Sequence, residues 1–490
     1  MNLKILYITL GILSTELLAA QNQTMEMSLE QVVKIARLES PDARTARHSF
    51  RSAYWNYKYY RANYLPSLSL SSDPNLNRAI NKITMGDGSV KFVEQNLLNT
   101  DLTLNLSQNI PWTGGSLFLE TSAQRMDLFS EHKYSWQTSP IMIGYRQSLF
   151  GYNSLKWDKR IEPVRYQEAK KSYVETLELV SANAINKFFA LATAQSNYDI
   201  ASFNYANADT LYRYAQGRYN IGTITENEML QLELNRLTEE TNRMNARIEM
   251  DNCMQELRSY LGIQEEREIR VRVSSRIPDF SINLNEALAL AYENSPDIQT
   301  MKRRKLESES AVARARANAG LKADIYLRFG LTQTADKLPE AYRNLLDQQY
   351  VSLSISLPIL DWGRGKGQVR VARSNRDLVY TQVEQNRTDF ELNVRKLVKQ
   401  FNLQTQRVRI AARTDETAQR RNEVARKLYI LGKSTILDLN ASISEKDSAR
   451  RNYVSALYNY WSLYYTLRSM TLYDFESNKL LTEDYNLLIE

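Results

Sequence analysis

The chain has 490 residues, a formal net charge of +7, and 43% hydrophobic residues, at a mean hydropathy of −0.49. One cysteine, Cys253, allows no intramolecular disulfide, and the two histidines, His48 and His132, lie far apart. That supply builds neither a metal cluster nor a nucleophilic triad, so no enzyme and no cofactor are expected.

Lys4, an apolar run from Ile5 to Leu18 and Ala19-Ala20 read as a secretory signal peptide over 1–20. Glu16 late in the run and Leu18 before the cleavage site depart from the ideal. Beyond it, no apolar run is long enough for a transmembrane helix. If the mature chain crosses a membrane, it must do so as a closed β-barrel, because open sheet edges cannot face lipid. Lys and Arg are mixed with Asp and Glu. The run Lys302-Arg303-Arg304-Lys305 lacks aromatic interleaving, so no nucleic-acid partner is expected.

Two echoes show an internal repeat. Ser28-Leu29 leads to Ser40-Pro41-Asp42, and Asn283-Leu284 leads to Ser295-Pro296-Asp297, at an offset of 255 (Leu29 to Leu284). Tyr219-x-x-Gly222 recurs as Tyr429-x-x-Gly432, each followed six residues later by an acid, Glu228 and Asp438. This offset is 210 (Gly222 to Gly432). The fall from 255 to 210 gives the first copy 45 extra residues between the echoes. The chain therefore divides into repeat 1 over 21–263, a linker over 264–281, repeat 2 over 282–472 and a tail over 473–490.

Each copy opens with a helix that breaks at Ser-Pro-Asp, where Pro suits the restart of a helix. Strands follow, within 66–150 in repeat 1 and within 323–360 in repeat 2. Leu102, Leu104 and Leu106 alternate with polar residues, as do Ile141 and Ile143, Ile325 to Leu331, and Val351 to Leu357. Period-2 alternation gives one apolar and one polar face, which fits a sandwich or a membrane barrel. The extra residues supply a hairpin over about 100–110 and 115–126, turning at Trp112-Thr113-Gly114-Gly115. Trp112, Trp136, Trp157 and Trp362 fall near strand ends, as in an aromatic girdle or in ordinary sheet-end packing.

Long helical hairpins come next, over 152–261 and 368–470. No proline occurs from Val164 to Ile277 or after Pro358, as uninterrupted helices require. Apolar residues recur at spacings of 3 and 4, from Tyr166 through Phe188 and from Val383 through Phe401. Such hairpins cannot bury their seams alone, so self-association is expected. Gly363-Arg364-Gly365-Lys366-Gly367 lacks the Gly-Lys-Ser/Thr ending of a phosphate loop and reads as a strand-to-helix joint.

This plan, the strand ends Ser148-Leu149-Phe150 and Pro358-Ile359-Leu360, and the two Tyr-x-x-Gly turns resemble the TolC-type outer-membrane efflux proteins over about 25–472. The resemblance implies a mixed fold of α-helix and transmembrane β: a tandem repeat of helix, β-hairpin and long helical hairpin. Three copies would form a β-barrel in outer-membrane lipid and a periplasmic α-barrel. It implies a homotrimeric channel working with a periplasmic adaptor and an inner-membrane pump, of the RND or the ABC type.

It further implies a gate at the helical tips. Tyr429 matches the family's gate tyrosine beside its turn glycine, Gly432. Asp438 matches the outer acid of the aperture ring, and Glu228 the acid on the other hairpin, which follows Tyr219 and Gly222. The chain departs from the family pattern at Ser434, where an arginine is expected, and at Ala441, the second ring acid. Three Asp438 carboxylates around one axis would attract cations and raise each other's pKa. Both acids equally suit the N-terminal end of a helix just after a turn. The alternative function is a structural periplasmic coiled-coil or adaptor protein of an export complex.

Overall fold

The computed structural model describes residues 25–265, 267–431 and 433–489. The signal peptide read at 1–20, Gly432 and the side chain of Tyr429 lie outside the described residues. The chain divides into two compact units. One holds the chain up to Ser52, Glu168–Ile298 and the part from Arg387 onward. The other holds Ala53–Gln167 and Gln299–Asn386.

The first elements are β1 (Met25–Ser28), α1 (Leu29–Glu39) and α2 (Pro41–Ala62). Ser28 starts α1 with a capping box: its hydroxyl accepts from the Gln31 N–H and the Gln31 side chain accepts from the Ser28 N–H. Ser40 ends α1 in an extended conformation, donates its N–H to Ala36 and caps α2 by accepting from the Ala43 N–H at 3.1 Å. Pro41 occupies the first position of α2, where its missing N–H costs nothing. Ser295 and Pro296 repeat this break between the corresponding helices of the second copy.

The strands are β2 (Ser67–Ser71), β3 (Asn75–Thr84), β4 (Val90–Ile110), β5 (Gly115–Leu128) and β6 (Lys133–Ser148). After them run α3 (Ser154–Asn220), α4 (Glu226–Leu261) and β7 (Ile269–Arg272). The second copy brings α5 (Leu284–Asn294), α6 (Pro296–Ala319), β8 (Lys322–Ala335) and β9 (Leu346–Ser356). The chain closes with α7 (Arg364–Ile430), α8 (Ile436–Thr471), β10 (Tyr473–Asp474) and β11 (Lys479–Leu480).

α3 and α7 each have 67 residues, of which the parts from Glu168 and from Arg387 belong to the first unit, and α4 and α8, within that unit, each have 36. At ~1.5 Å per residue the longer pair measure about 100 Å. Pro163 sits in the third turn of α3. The core centres on Phe188, Leu191, Phe401, Tyr460 and Tyr464, all fully buried. Phe280 packs on Phe401 and Tyr464, with ring centroids 5.3 and 5.6 Å away. The buried carboxylate of Glu178 is neutralised by two arginines, Arg37 and Arg468, the latter at 2.8 Å. An uncompensated charge there would be costly.

Two segments carry more structure than their sequence suggested. The stretch read as a linker holds β7, which pairs in parallel with β1 from Met25↔Ile269 to Ser28↔Arg272. In the tail, Glu483 pairs with Arg37 at 2.7 Å, and the Tyr485 ring packs on Phe50 at 5.3 Å.

The other unit contains one antiparallel sheet of order β2-β4-β5-β6-β8-β9, with β3 also on β4. β2 pairs with the end of β4 (Ser67↔Ser107) and β3 with its beginning (Asn75↔Asn99), so the two lie end to end along one partner. The sheet thus has six strand positions, four from repeat 1 and two from repeat 2. The hairpin read at 100–110 and 115–126 is β4–β5, and β4 begins ten residues earlier than read, at Val90. A register shift between Thr138 and Ile141 brackets Pro140, which cannot donate to a ladder.

Candidate functional site

Two structures can carry function, and each is built from local sequence. The first is the pair of turns that close the helical hairpins. In the first turn, the Gly222 N–H donates to the Tyr219 carbonyl and the Thr223 N–H to the Arg218 carbonyl, both at 2.9 Å. Gly222 has φ +73°, the left-handed value that favours glycine at a helix end. Thr225 then starts α4: its hydroxyl accepts from the Glu228 N–H, and Glu228 Oε2 accepts from the Thr225 N–H at 2.9 Å.

The described residues of the second turn repeat the later bonds of the first at the offset of 210. The Lys433 N–H donates to the Leu428 carbonyl at 2.9 Å, the counterpart of Thr223 and Arg218. Thr435 caps α8, and Asp438 Oδ2 accepts from the Thr435 N–H at 3.2 Å and its hydroxyl at 2.6 Å. Ser434, standing where the family pattern has arginine, donates its hydroxyl to the same oxygen at 3.4 Å.

The spacing from glycine to acid is therefore that of a helix stop followed by a capping box. Glu228 and Asp438 each find these partners within their own turn. The backbone N–H and then the hydroxyl of Thr225 hold the Glu228 carboxyl below its ordinary pKa. The Thr435 hydroxyl, then its N–H, lower that of Asp438. A raised Asp438 was expected from three copies meeting at one axis; within one chain the capping bonds pull the opposite way. Thr225 and Thr435 were missed as members of this site, although Thr-x-x-Glu and Thr-x-x-Asp signal a cap.

The glycines after β9 do not form a flexible joint throughout. Gly365 and Gly367 are helical, and only Gly363 is left-handed, at φ +83°. The N–H groups of Gly363 and Gly365 donate to Asp361, at 2.9 and 2.8 Å. The anion that this nest takes is the chain's own carboxylate.

The second structure is the two-faced sheet. Following the register across it, one face carries Leu68 and Leu70, Leu104 and Leu106, Leu119, Ile143, Phe329, Leu353 and Ile355. All of these apolar side chains are exposed. The opposite face carries Ser67 and Ser69, Thr103 and Asn105, Glu120, Arg146, Arg328, Ser352 and Ser354. On it Glu120 pairs with Arg328 at 3.2 Å. Phe118 lies over Gly144, where any Cβ would stand 2.0 Å from the ring, and stacks on Tyr326 at 6.0 Å. An exposed apolar face opposite a polar, ion-paired one inverts the burial of a soluble sandwich and matches lipid outside and water inside. Among the described residues, no helix is long and apolar enough to cross a membrane and no acid, His or Cys cluster could hold a metal ion.

Residues 287–471 match the family model described as Outer membrane efflux protein. The chain is 21% identical over 447 residues to Outer membrane protein TolC of Escherichia coli (strain K12), covering 88% of this chain and 80% of that protein. Over this length the chain resembles the TolC-type outer-membrane efflux proteins. Its fold is shared with the Campylobacter jejuni CmeC outer membrane channel: TM-score 0.66 and 16% identity over 94% of this chain and 88% of that one. It is shared also with the outer membrane protein VceC of Vibrio cholerae: TM-score 0.63 and 14% identity over 90% and 95%.

Proposed function

We propose that three copies of this chain form the outer-membrane duct of a tripartite efflux or type I secretion system. The duct takes substrate from a periplasmic adaptor and an inner-membrane pump, of the RND or the ABC type, and releases it outside the cell. The observation that carries this reading is the two-faced sheet, whose exposed leucine and isoleucine face suits outer-membrane lipid and whose polar face suits a water-filled lumen. A periplasmic adaptor would instead bury one face of its sheet.

In this reading the helical turns line the periplasmic aperture. Tyr219, Gly222 and Glu228 on one hairpin, with Tyr429, Gly432, Ser434 and Asp438 on the other, are the proposed gate residues. Glu228 and Asp438 carry a dual assignment. One oxygen of each caps a helix, and the charge, held below its ordinary pKa, faces the passage at neutral pH. The repeat boundaries at 21–263 and 282–472 are those of two pseudo-equivalent wall segments per chain.

Membrane fractionation and unheated gel electrophoresis test the assignment. The expected result is an outer-membrane protein that migrates as a detergent-resistant trimer until boiled. A freely soluble periplasmic monomer would contradict it.

A further inference from the structure

The 45 residues by which repeat 1 exceeds repeat 2 raise a question of architecture: whether all six strand positions stand in the membrane wall, or only the four from β5 to β9 with β2–β4 beside it. We propose that all six strand positions of the sheet stand in the wall. The wall closes where the β9 edge of one copy pairs with the β2 edge of the next. The pore then has about 18 strands, six from each of three copies. This rests on the trimeric-channel reading above.

Four observations carry it. The apolar face continues through β4 and β5 without a change of side, and Leu102, Leu104, Leu106, Leu117 and Leu119 are all exposed on it. A hairpin folded away from lipid would have no use for that row. The strand positions are also long enough: β4 has 21 residues, β5 14, β6 16, β8 14 and β9 11, and the edge position is filled by β2, of 5, and β3, of 10, end to end along β4. A tilted membrane strand needs about 9–11.

Next, the sheet is antiparallel at every junction, so with an even number of positions β2 and β9 run in opposite directions. Joining one copy's β9 to the next copy's β2 is then one more antiparallel junction, and it leaves no edge open to lipid. Finally, the two edges match in pattern. β2 reads Ser67-Leu68-Ser69-Leu70-Ser71 and β9 ends Ser352-Leu353-Ser354-Ile355-Ser356. The register across the sheet puts both serine stripes on its polar face and the leucines and isoleucine on its apolar face. Both stripes lie at the strand ends that connect to helices, since β2 follows α2 and β9 precedes α7. The occupant that satisfies each edge is a second copy of this chain. Barrels of 16–18 strands enclose an aqueous channel rather than a filled core.

Disulfide mapping in native outer membranes tests this on the full-length chain, after Cys253→Ser removes the natural thiol. One set pairs Ser67→Cys, Ser69→Cys or Ser71→Cys with Ser352→Cys, Ser354→Cys or Ser356→Cys. A second set pairs Ser116→Cys in β5 with the same three β9 positions. After oxidation and boiling without reductant, the first set is expected to shift from monomer to covalent dimer and trimer at one register. The second set and all single-cysteine controls are expected to stay monomeric. Cross-links from β9 to β5 would overturn the proposal, because they mean that β2–β4 stand outside the wall. So would the absence of any β2–β9 cross-link in variants that still run as trimers unheated. A Cys253→Ser parent that is neither trimeric nor membrane-bound would instead sink the channel reading, and this inference with it.

Discussion

The two helical hairpins have helices of equal length and the same capping box at the start of the returning helix, yet they are held together by different chemistry. In the first, three tyrosines of α3 at heptad spacing lie under arginines of α4. Arg247 sits 5.6 Å from the Tyr198 ring, Arg243 4.2 Å from Tyr205, and Arg236 5.5 Å from Tyr212. At the offset of 210 the second hairpin has Asp415 in place of Tyr205 and Asn422 in place of Tyr212. There Asp415 pairs with Arg450 at 3.2 Å, and the Asn422 amide donates to Ser442 at 3.0 Å, both partners buried. The pair Arg421–Glu445 lies beside them. The restart of the second helix is shared because a capping box admits few residue types. The contact between helices is free to be aromatic–cationic in one copy and hydrogen-bonded in the other.

The largest separation of the two hairpins is expected from Ser442→Ala. It strands a buried Asn422 amide and should lower the local stability of the second hairpin by about 1–3 kcal/mol. Asn422→Leu added to it should recover most of the loss. Hydrogen exchange across 415–450 reads both, and a double variant as unstable as the single one would break the assignment. Thr225→Ala and Thr435→Ala should each cost about 1 kcal/mol at their own helix start. Unequal costs would show that the turns are not equivalent.

Acid adds a test of the same point. Both carboxyls have folded pKa values below their ordinary 4.5 and 3.8, so their stabilisation is present above those values and is lost as pH falls through the folded ones. Exchange at both turns should therefore accelerate together on acidification, and less so in the threonine variants.

A smaller effect, about 0.5–1 kcal/mol, is expected for Tyr205→Leu, which keeps apolar contact but removes the ring beneath Arg243. The last contrast is one of sign. Burial and then the neighbouring Asp297 push Glu175 in α3 up to about 7, whereas its counterpart in α7 is Gln385. A raised carboxyl favours the folded state while protonated, so stability should decline as pH rises from about 4.5 toward 7. Glu175→Gln should flatten that decline in thermal melts between pH 5 and 8, and an unchanged profile would show that Glu175 does not cause it.

Much of this fold was legible because its signals are local and long. Proline-free runs with apolar spacings of 3 and 4 became helices of 67 and 36 residues, and the Leu102–Leu106 alternation, with that of Val351–Leu357 as far as Ser356, fell on strands. What escaped depends on partners distant in sequence or on short cues. β1 and β7 have four residues each and pair across more than 240 positions, so neither carries a recognisable period alone. The tail is tied down by Arg37 and Phe50, which nothing in 473–490 announces. Glu178 reads as an ordinary helix-surface acid until Arg37 and Arg468 are seen on either side of it. At the candidate site the tyrosines, glycines and acids stood out as a repeat. The threonines that explain the repeat passed unnoticed, because a capping box is a four-residue cue within a long pattern.

The account rests on the sheet being a membrane wall with water inside, and single-channel recording tests that most directly. Purified full-length protein added to a planar lipid bilayer should insert and give discrete, stepwise ion currents. Detergent-solubilised protein that runs as a trimer yet never conducts, or protein that is soluble without detergent, would contradict it.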